Sequence, residues 1–227
     1  MYLRRRLRIL ASGLASEDGF RFTIGSNPLA RIHLILRGSK TVLRPLRLGD
    51  AARLHAWNSD PTINPEGASH GTTVVSERAW IRVVRKLRND TYFALDNDRG
   101  NHIGLVSLNG VSCKDRRGVV SILIGRRWWS RGYGLDAMSA ILEFAFSERE
   151  LHRVTLYVLA TNRRALGLYK RLGFRKEGVL RESVFVSDAF VDEIILGILR
   201  SEWQRHQNGS KKSTLGTRDG ARCRAAA

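Results

Sequence analysis

Residues 119–134, VVSILIGRRWWSRGYG, constrain the fold more than any other stretch of the chain. Val119 to Ile124 is a short aliphatic and β-branched run, broken only by Ser121, of the length and composition of a buried strand. After the loop, Leu135, Met138, Ile141, Leu142 and Ala145 recur at the spacing of one helical face, predicting a helix through about Glu148. Between the two lies Ser130-Arg131-Gly132-Tyr133-Gly134. A glycine-bearing loop that leads from a strand into a helix turns several backbone N–H groups, and the positive end of the helix dipole, toward one point. Its glycines allow positive φ and close approach of a ligand. Arg126, Arg127 and Arg131 add charge, so the expected guest is an anion, most simply a diphosphate.

A lone G-x-G also fits an ordinary strand-to-helix turn. The wider context separates the two readings. The stretch Trp129-Ser130-Arg131-Gly132-Tyr133-Gly134-Leu135 resembles the pyrophosphate loop of the GNAT superfamily of acetyl-CoA-dependent N-acetyltransferases. With Trp129 in first position, it is similar to the subgroup of ribosomal-protein N-terminal acetyltransferases. About thirty residues downstream, Asn162-Arg163-Arg164-Ala165-Leu166-Gly167-Leu168-Tyr169-Lys170-Arg171-Leu172-Gly173-Phe174 resembles that superfamily's N-x-x-A-x-x-L-Y-x-x-x-G-F segment.

Elsewhere the pattern is that of a mixed α/β (α+β) domain. Strands are predicted at 41–46, 91–95, 102–108, 119–124, 153–159, 174–186 and 190–199, and helices from Asp50 to Trp57, Ser76 to Leu87, Leu135 to Glu148 and Asn162 to Arg171. Asn97-Asp98-Arg99-Gly100 and Ser187-Asp188 are turn signals, and the order is β-α-α-β-β-β-α-β-α-β-β. A mixed, mostly antiparallel sheet with flanking helices is also the fold that the resemblance implies. Residues 38–202 are expected to form the domain, 1–37 a basic or wrongly started extension, and 203–227 a disordered basic tail.

The formal charge is +18 over 227 residues, and more than half of the excess lies in the two ends. That distribution argues for solubility or loose polyanion contact rather than specific nucleic-acid binding. No apolar run approaches the ~18 residues of a membrane span, and the first residues carry an apolar stretch too short and broken for a signal peptide. Cys113 and Cys223 are the only cysteines, which indicates neither a disulfide framework nor a metal site and suits a reducing cytoplasm.

The resemblance implies acetyl-CoA as co-substrate, no metal, and an amine acceptor, and it is compatible with a homodimer. Backbone groups of Ile122, Leu123 and Ile124 would contact the pantetheine arm. Trp129, Ser130, Arg131, Gly132, Tyr133 and Gly134 would hold the pyrophosphate, Asn162 would contact the arm while capping its helix, and Tyr169 would protonate the departing thiolate. A phenol with pKa ~10 is a donor at neutral pH. Related enzymes often carry a glutamate where this chain has Val119, which leaves the general base open among Glu66, His70, Glu182 and Glu193, or water. Glu66, His70 and Glu182 double as candidate acceptor contacts, on a wall formed by the 58–75 loop and residues 180–190. His152 reads as structural. The acceptor could be a protein N-terminal amine or a small amine such as a polyamine, amino sugar or aminoglycoside; a CoA or polyanion binder without turnover is the reading from a different class.

Overall fold

The computed structural model describes residues 34–65 and 72–215. Glu66, His70 and Cys223 lie outside them. Among the described residues the chain forms an eight-stranded sheet. Its strands are β1 (Leu36–Arg37), β2 (Thr41–Pro45), β3 (Thr91–Asn97), β4 (His102–Ser112), β5 (Arg117–Ile124), β6 (Arg153–Leu159), β7 (Arg175–Val186) and β8 (Ala189–Leu199). The helices are α1 (Ala51–Asn58), α2 (Val74–Val84), α3 (Tyr133–Glu143, continued by a π-helical turn Phe144–Glu148), α4 (Arg163–Arg171) and α5 (Arg200–Leu215). The spatial order is β1-β2-β3-β4-β5-β6-β8-β7, and every neighbouring pair is antiparallel except β5 and β6. The predicted order of elements is therefore observed, with β1 and α5 added.

Strand alternation gives the sheet two cores. Val120, Val154, Leu156, Leu196 and Ile198 point to the face covered by α3, where Ala137, Met138, Ile141 and Leu142 meet them. Ala94 and Leu105, with partly buried Leu123, point the other way and meet Leu54 of α1 and Ile81 of α2. β4 lies between both layers, which is why residues 102–109 are buried without interruption. The helix expected to open at Ser76 starts two residues earlier. Thr73 and Ser76 cap each other, with Ser76 N–H donating to Thr73 Oγ1 at 3.1 Å and Thr73 N–H donating to Ser76 Oγ at 2.9 Å.

On the α1 side one cation organises two carboxylates. The Arg44 guanidinium donates to both oxygens of Asp50, at 2.9 Å each, and its Nε donates to Asp96 at 2.7 Å. Burial raises the Asp50 carboxyl, but hydrogen bonds from Arg44 and the Arg47 N–H bring it below the ordinary carboxylate value. Burial lowers the His102 imidazole beside it.

The C-terminal boundary expected at residue 202 is not where the fold ends. α5 runs across it, and Trp203 is only 2% exposed. Its indole N–H donates to Glu143 Oε2 at 3.2 Å and its ring lies 6.3 Å from that of Phe146. An isolated tryptophan in a polar, basic stretch gives no periodic signal, so the contact is invisible without the neighbouring α3.

Candidate functional site

β5 and β6 pair only over Arg117–Val119 and Arg153–Thr155. Beyond that point the two parallel strands diverge, and the register shows which backbone groups face the gap. Gly125 N–H donates to Ile103 O at 2.9 Å, in continuation of the β4–β5 register. Antiparallel residues alternate between exchanging hydrogen bonds and turning their groups outward. Val119, Ser121 and Leu123 are therefore bonded to β4, whereas Val120, Ile122 and Ile124 turn their N–H and C=O groups toward β6. On β6, Ala160 N–H donates to Asp192 O at 2.9 Å, and by the same alternation Tyr157 and Leu159 face the gap. Beyond Val119 the outward edge of β5 thus has no β6 partner in register, while on the β6 side the Leu159 carbonyl already accepts from Asn162 N–H at 2.9 Å.

This arrangement corrects one expectation. Ile122 and Ile124 offer backbone groups to the gap, but Leu123 does not: its carbonyl lies directly against Gly104 of β4, where a Cβ would collide with it.

The end of β5 is held by its own loop. Trp129 donates its indole N–H to Ile124 O at 2.7 Å, and the Arg164 guanidinium covers the Trp129 ring at 3.3 Å from its centroid. Burial, and then the charge of Arg126, lower the proton affinity of Arg164. The Trp129 side chain is therefore a pin between β5, the loop and the start of α4 rather than a free ligand group. The loop turns through Ser130 (φ 59°) and Gly132 (φ 85°), two left-handed residues that bracket Arg131. Backbone of this kind can form anion-binding concavities. Gly132 is the N-cap of α3, so the amides of the first helical turn emerge here without intrahelical acceptors. Arg127 and Arg131 stack on Trp128, at 4.6 and 5.7 Å from its ring centroid, and the Tyr133 ring meets the same indole at 6.1 Å.

α4 packs against this loop, with Leu168 and Ile124 the nearest side chains to Gly134. Asn162 caps the helix by accepting from Ala165 N–H at 3.1 Å. Tyr169 lies on the inner face of α4, with its ring edge-on to Phe174 at 5.8 Å. Burial pushes its phenol up to about 12, which keeps it protonated at any physiological pH and suits a proton donor.

On the face covered by α1 and α2, Ser107 and Ser121 share a 2.6 Å hydrogen bond and Asn109 Nδ2 donates to Ser107 at 2.9 Å. Asn109 stands opposite Val119 in the β4–β5 register, so this polar row lies beside the position where related enzymes often carry a strand glutamate. Across the gap, Glu193 pairs with Leu159 in register and projects away from Ile194 and Leu196, which join the α3-side core. Glu193 and Ser121 therefore share one face of the sheet. Glu182 sits in the β7 irregularity between Leu180 and Val184, at φ 49°, with its N–H donating to Asp192 Oδ1 at 2.9 Å. His152 is exposed, and its backbone links two segments, with its N–H donating to Arg116 O and its carbonyl accepting from Arg200 N–H. No group of His, Cys, Asp or Glu among the described residues has metal-site geometry.

A half-open sheet edge beside a glycine loop at a helix start defines an acyl-CoA-type acyltransferase fold, and the comparisons agree. The Acetyltransferase (GNAT) domain family matches residues 40–175, and the chain belongs to that family of N-acetyltransferases. It is 29% identical over 166 residues to a spermidine N(1)-acetyltransferase of Vibrio cholerae, covering 73% of this chain and 96% of that one. It is 25% identical over 125 residues to the [ribosomal protein uS5]-alanine N-acetyltransferase of Escherichia coli, covering 54% and 64%. Its fold matches the crystal structure of Vibrio cholerae spermidine N-acetyltransferase in complex with CoA and spermine, with a TM-score of 0.69 over 73% of this chain and 99% of that one, at 24% identity. No helix among the described residues is long and apolar enough to cross a membrane.

Proposed function

We propose that the protein transfers an acetyl group from acetyl-CoA to a primary amine by direct attack. The observation that carries this reading is the gap between β5 and β6, which ends at the glycine loop. An extended pantetheine arm can pair with the open edge of β5 through both backbone groups of Ile122 and the N–H of Ile124, whose carbonyl is already held by Trp129, as an added strand would. The diphosphate then meets the amides of residues 130–134 and the arginines around them.

The amine nitrogen attacks the thioester carbonyl, and an N–H of the β5 edge stabilises the oxyanion; such a donor is usually worth a few kcal/mol. As the C–S bond breaks, Tyr169 gives its proton to the thiolate. The proton lost by the amine passes to Glu193, directly or through water ordered beside Ser121. Holding both reactants in one cleft itself contributes several kcal/mol to lowering the barrier.

Two acceptor classes remain supported by separate observations. The resemblance of the loop to that of the ribosomal-protein N-terminal acetyltransferases, together with the match to the [ribosomal protein uS5]-alanine N-acetyltransferase, favours a protein N-terminal amine. The match to a spermidine acetyltransferase over most of both chains favours a polyamine. Thiol release from acetyl-CoA in the presence of spermidine, spermine or an alanine-starting peptide decides between them. Stimulation above the amine-free rate by any of them supports the transferase reading, whereas CoA binding without stimulation by a broad panel of amines supports a binder.

A further inference from the structure

The loop between β1 and β2 reaches the glycine loop from a distant part of the sequence. Asp136, in the first turn of α3, accepts four hydrogen bonds from it: Ser39 N–H at 2.8 Å, Ser39 Oγ at 2.7 Å, Lys40 N–H at 3.0 Å and Thr41 Oγ1 at 2.6 Å. These bonds hold the Asp136 carboxyl below its ordinary value against the opposing effect of burial. Gly38 makes the approach possible, since a Cβ there would run into the Asp136 carboxylate and Thr41 Oγ1. The consequence falls on Lys40. With its backbone fixed to α3, its side chain lies over Gly132, and Nζ stands 3.5 Å, and Cδ 4.0 Å, from the point where a Gly132 Cβ would be.

We infer that Lys40 is a diphosphate-binding residue of the CoA site, delivered by the β1–β2 turn and positioned by Asp136. This rests on the reading of the loop as a diphosphate site. The physical case is that an ammonium on a fixed backbone, beside the glycine that caps the helix and its free first-turn N–H groups, adds a point charge where the phosphate charge concentrates. Asp136 does not approach the ligand. Its work is to anchor the turn, so it is a positioning residue. The glycine of the loop leaves open the space that the ammonium and the phosphate share.

Calorimetry with CoA and with dephospho-CoA, which lacks the 3′-phosphate and keeps the diphosphate, tests the assignment. Lys40→Ala is expected to weaken both ligands by roughly three- to tenfold, with a shallower dependence on salt than the unaltered protein. Lys40→Arg is expected to retain most of the affinity, and Lys176→Ala on β7 to leave it unchanged. Equal affinity of Lys40→Ala and the unaltered protein overturns the inference while leaving the transferase reading in place. A loss with CoA that vanishes with dephospho-CoA also overturns it, because Lys40 would then answer the 3′-phosphate. No CoA binding by the unaltered, folded protein removes the underlying site reading instead.

Discussion

Trp129 donates its indole N–H to the Ile124 carbonyl across 2.7 Å, and so closes the last outward-facing acceptor of β5 with a side chain from the loop that follows it. The bond fixes how far the strand runs before the chain turns to the glycines. Trp129→Phe leaves the Ile124 carbonyl without this donor and weakens the Arg164 stacking. The expected loss of stability is about 1–3 kcal/mol, seen as a drop in melting temperature, with weaker CoA binding at a temperature where the variant is folded. An unchanged melting temperature would mean that the pin is dispensable.

Tyr169→Phe keeps the ring that packs on Phe174 and removes the proton donor. Turnover is expected to fall by ~10²–10⁴, in kcat rather than in KM for acetyl-CoA. Because burial raises the folded phenol to about 12, from ~10 in the unfolded chain, its contribution to stability is complete below pH ~10. It is lost as pH rises through about 12. Alkaline melting curves of the unaltered protein should therefore fall over that window more steeply than those of the Phe variant.

Glu193→Gln tests the proton acceptor. With the neutral amide, kcat is expected to fall by about 10²-fold or more, while acetyl-CoA affinity stays the same. Near-normal kcat in the variant would assign proton removal to water alone.

The loop, the central strand and α4 were legible because their signals are local: a glycine spacing, an apolar run, an Asn cap and an apolar stripe within about a dozen residues each. What the sequence hides is contact between distant segments. Asp136 and Ser39 are 97 positions apart, and nothing in either stretch names the other. The divergence of β5 from β6 is a property of register, not composition, so Leu123 reads as equivalent to its neighbours until the β4 ladder takes its backbone groups. Trp203 is hidden for the same reason, since only α3 explains its burial.

Trp203→Ala is expected to cost about 3–5 kcal/mol, because it empties a buried site against Phe146 and leaves Glu143 without the indole donor. Truncation after Glu202 should destabilise the domain at least as much. Chemical denaturation measures both, and a truncated chain as stable as the full one would restore the boundary at residue 202.

The central claim is that the glycine loop holds the diphosphate of acetyl-CoA at the mouth of the gap between β5 and β6. Calorimetric titration of CoA into the unaltered protein and into Gly132→Asp tests it most directly. The aspartate introduces a carboxylate where phosphate would lie, at a residue whose φ of 85° already disfavours a side chain, so circular dichroism must accompany the titration to establish that the variant is folded. The account predicts clear binding to the unaltered protein and a loss of well over tenfold in the folded variant, more than ~1.4 kcal/mol. Equal affinity in two folded proteins would contradict it.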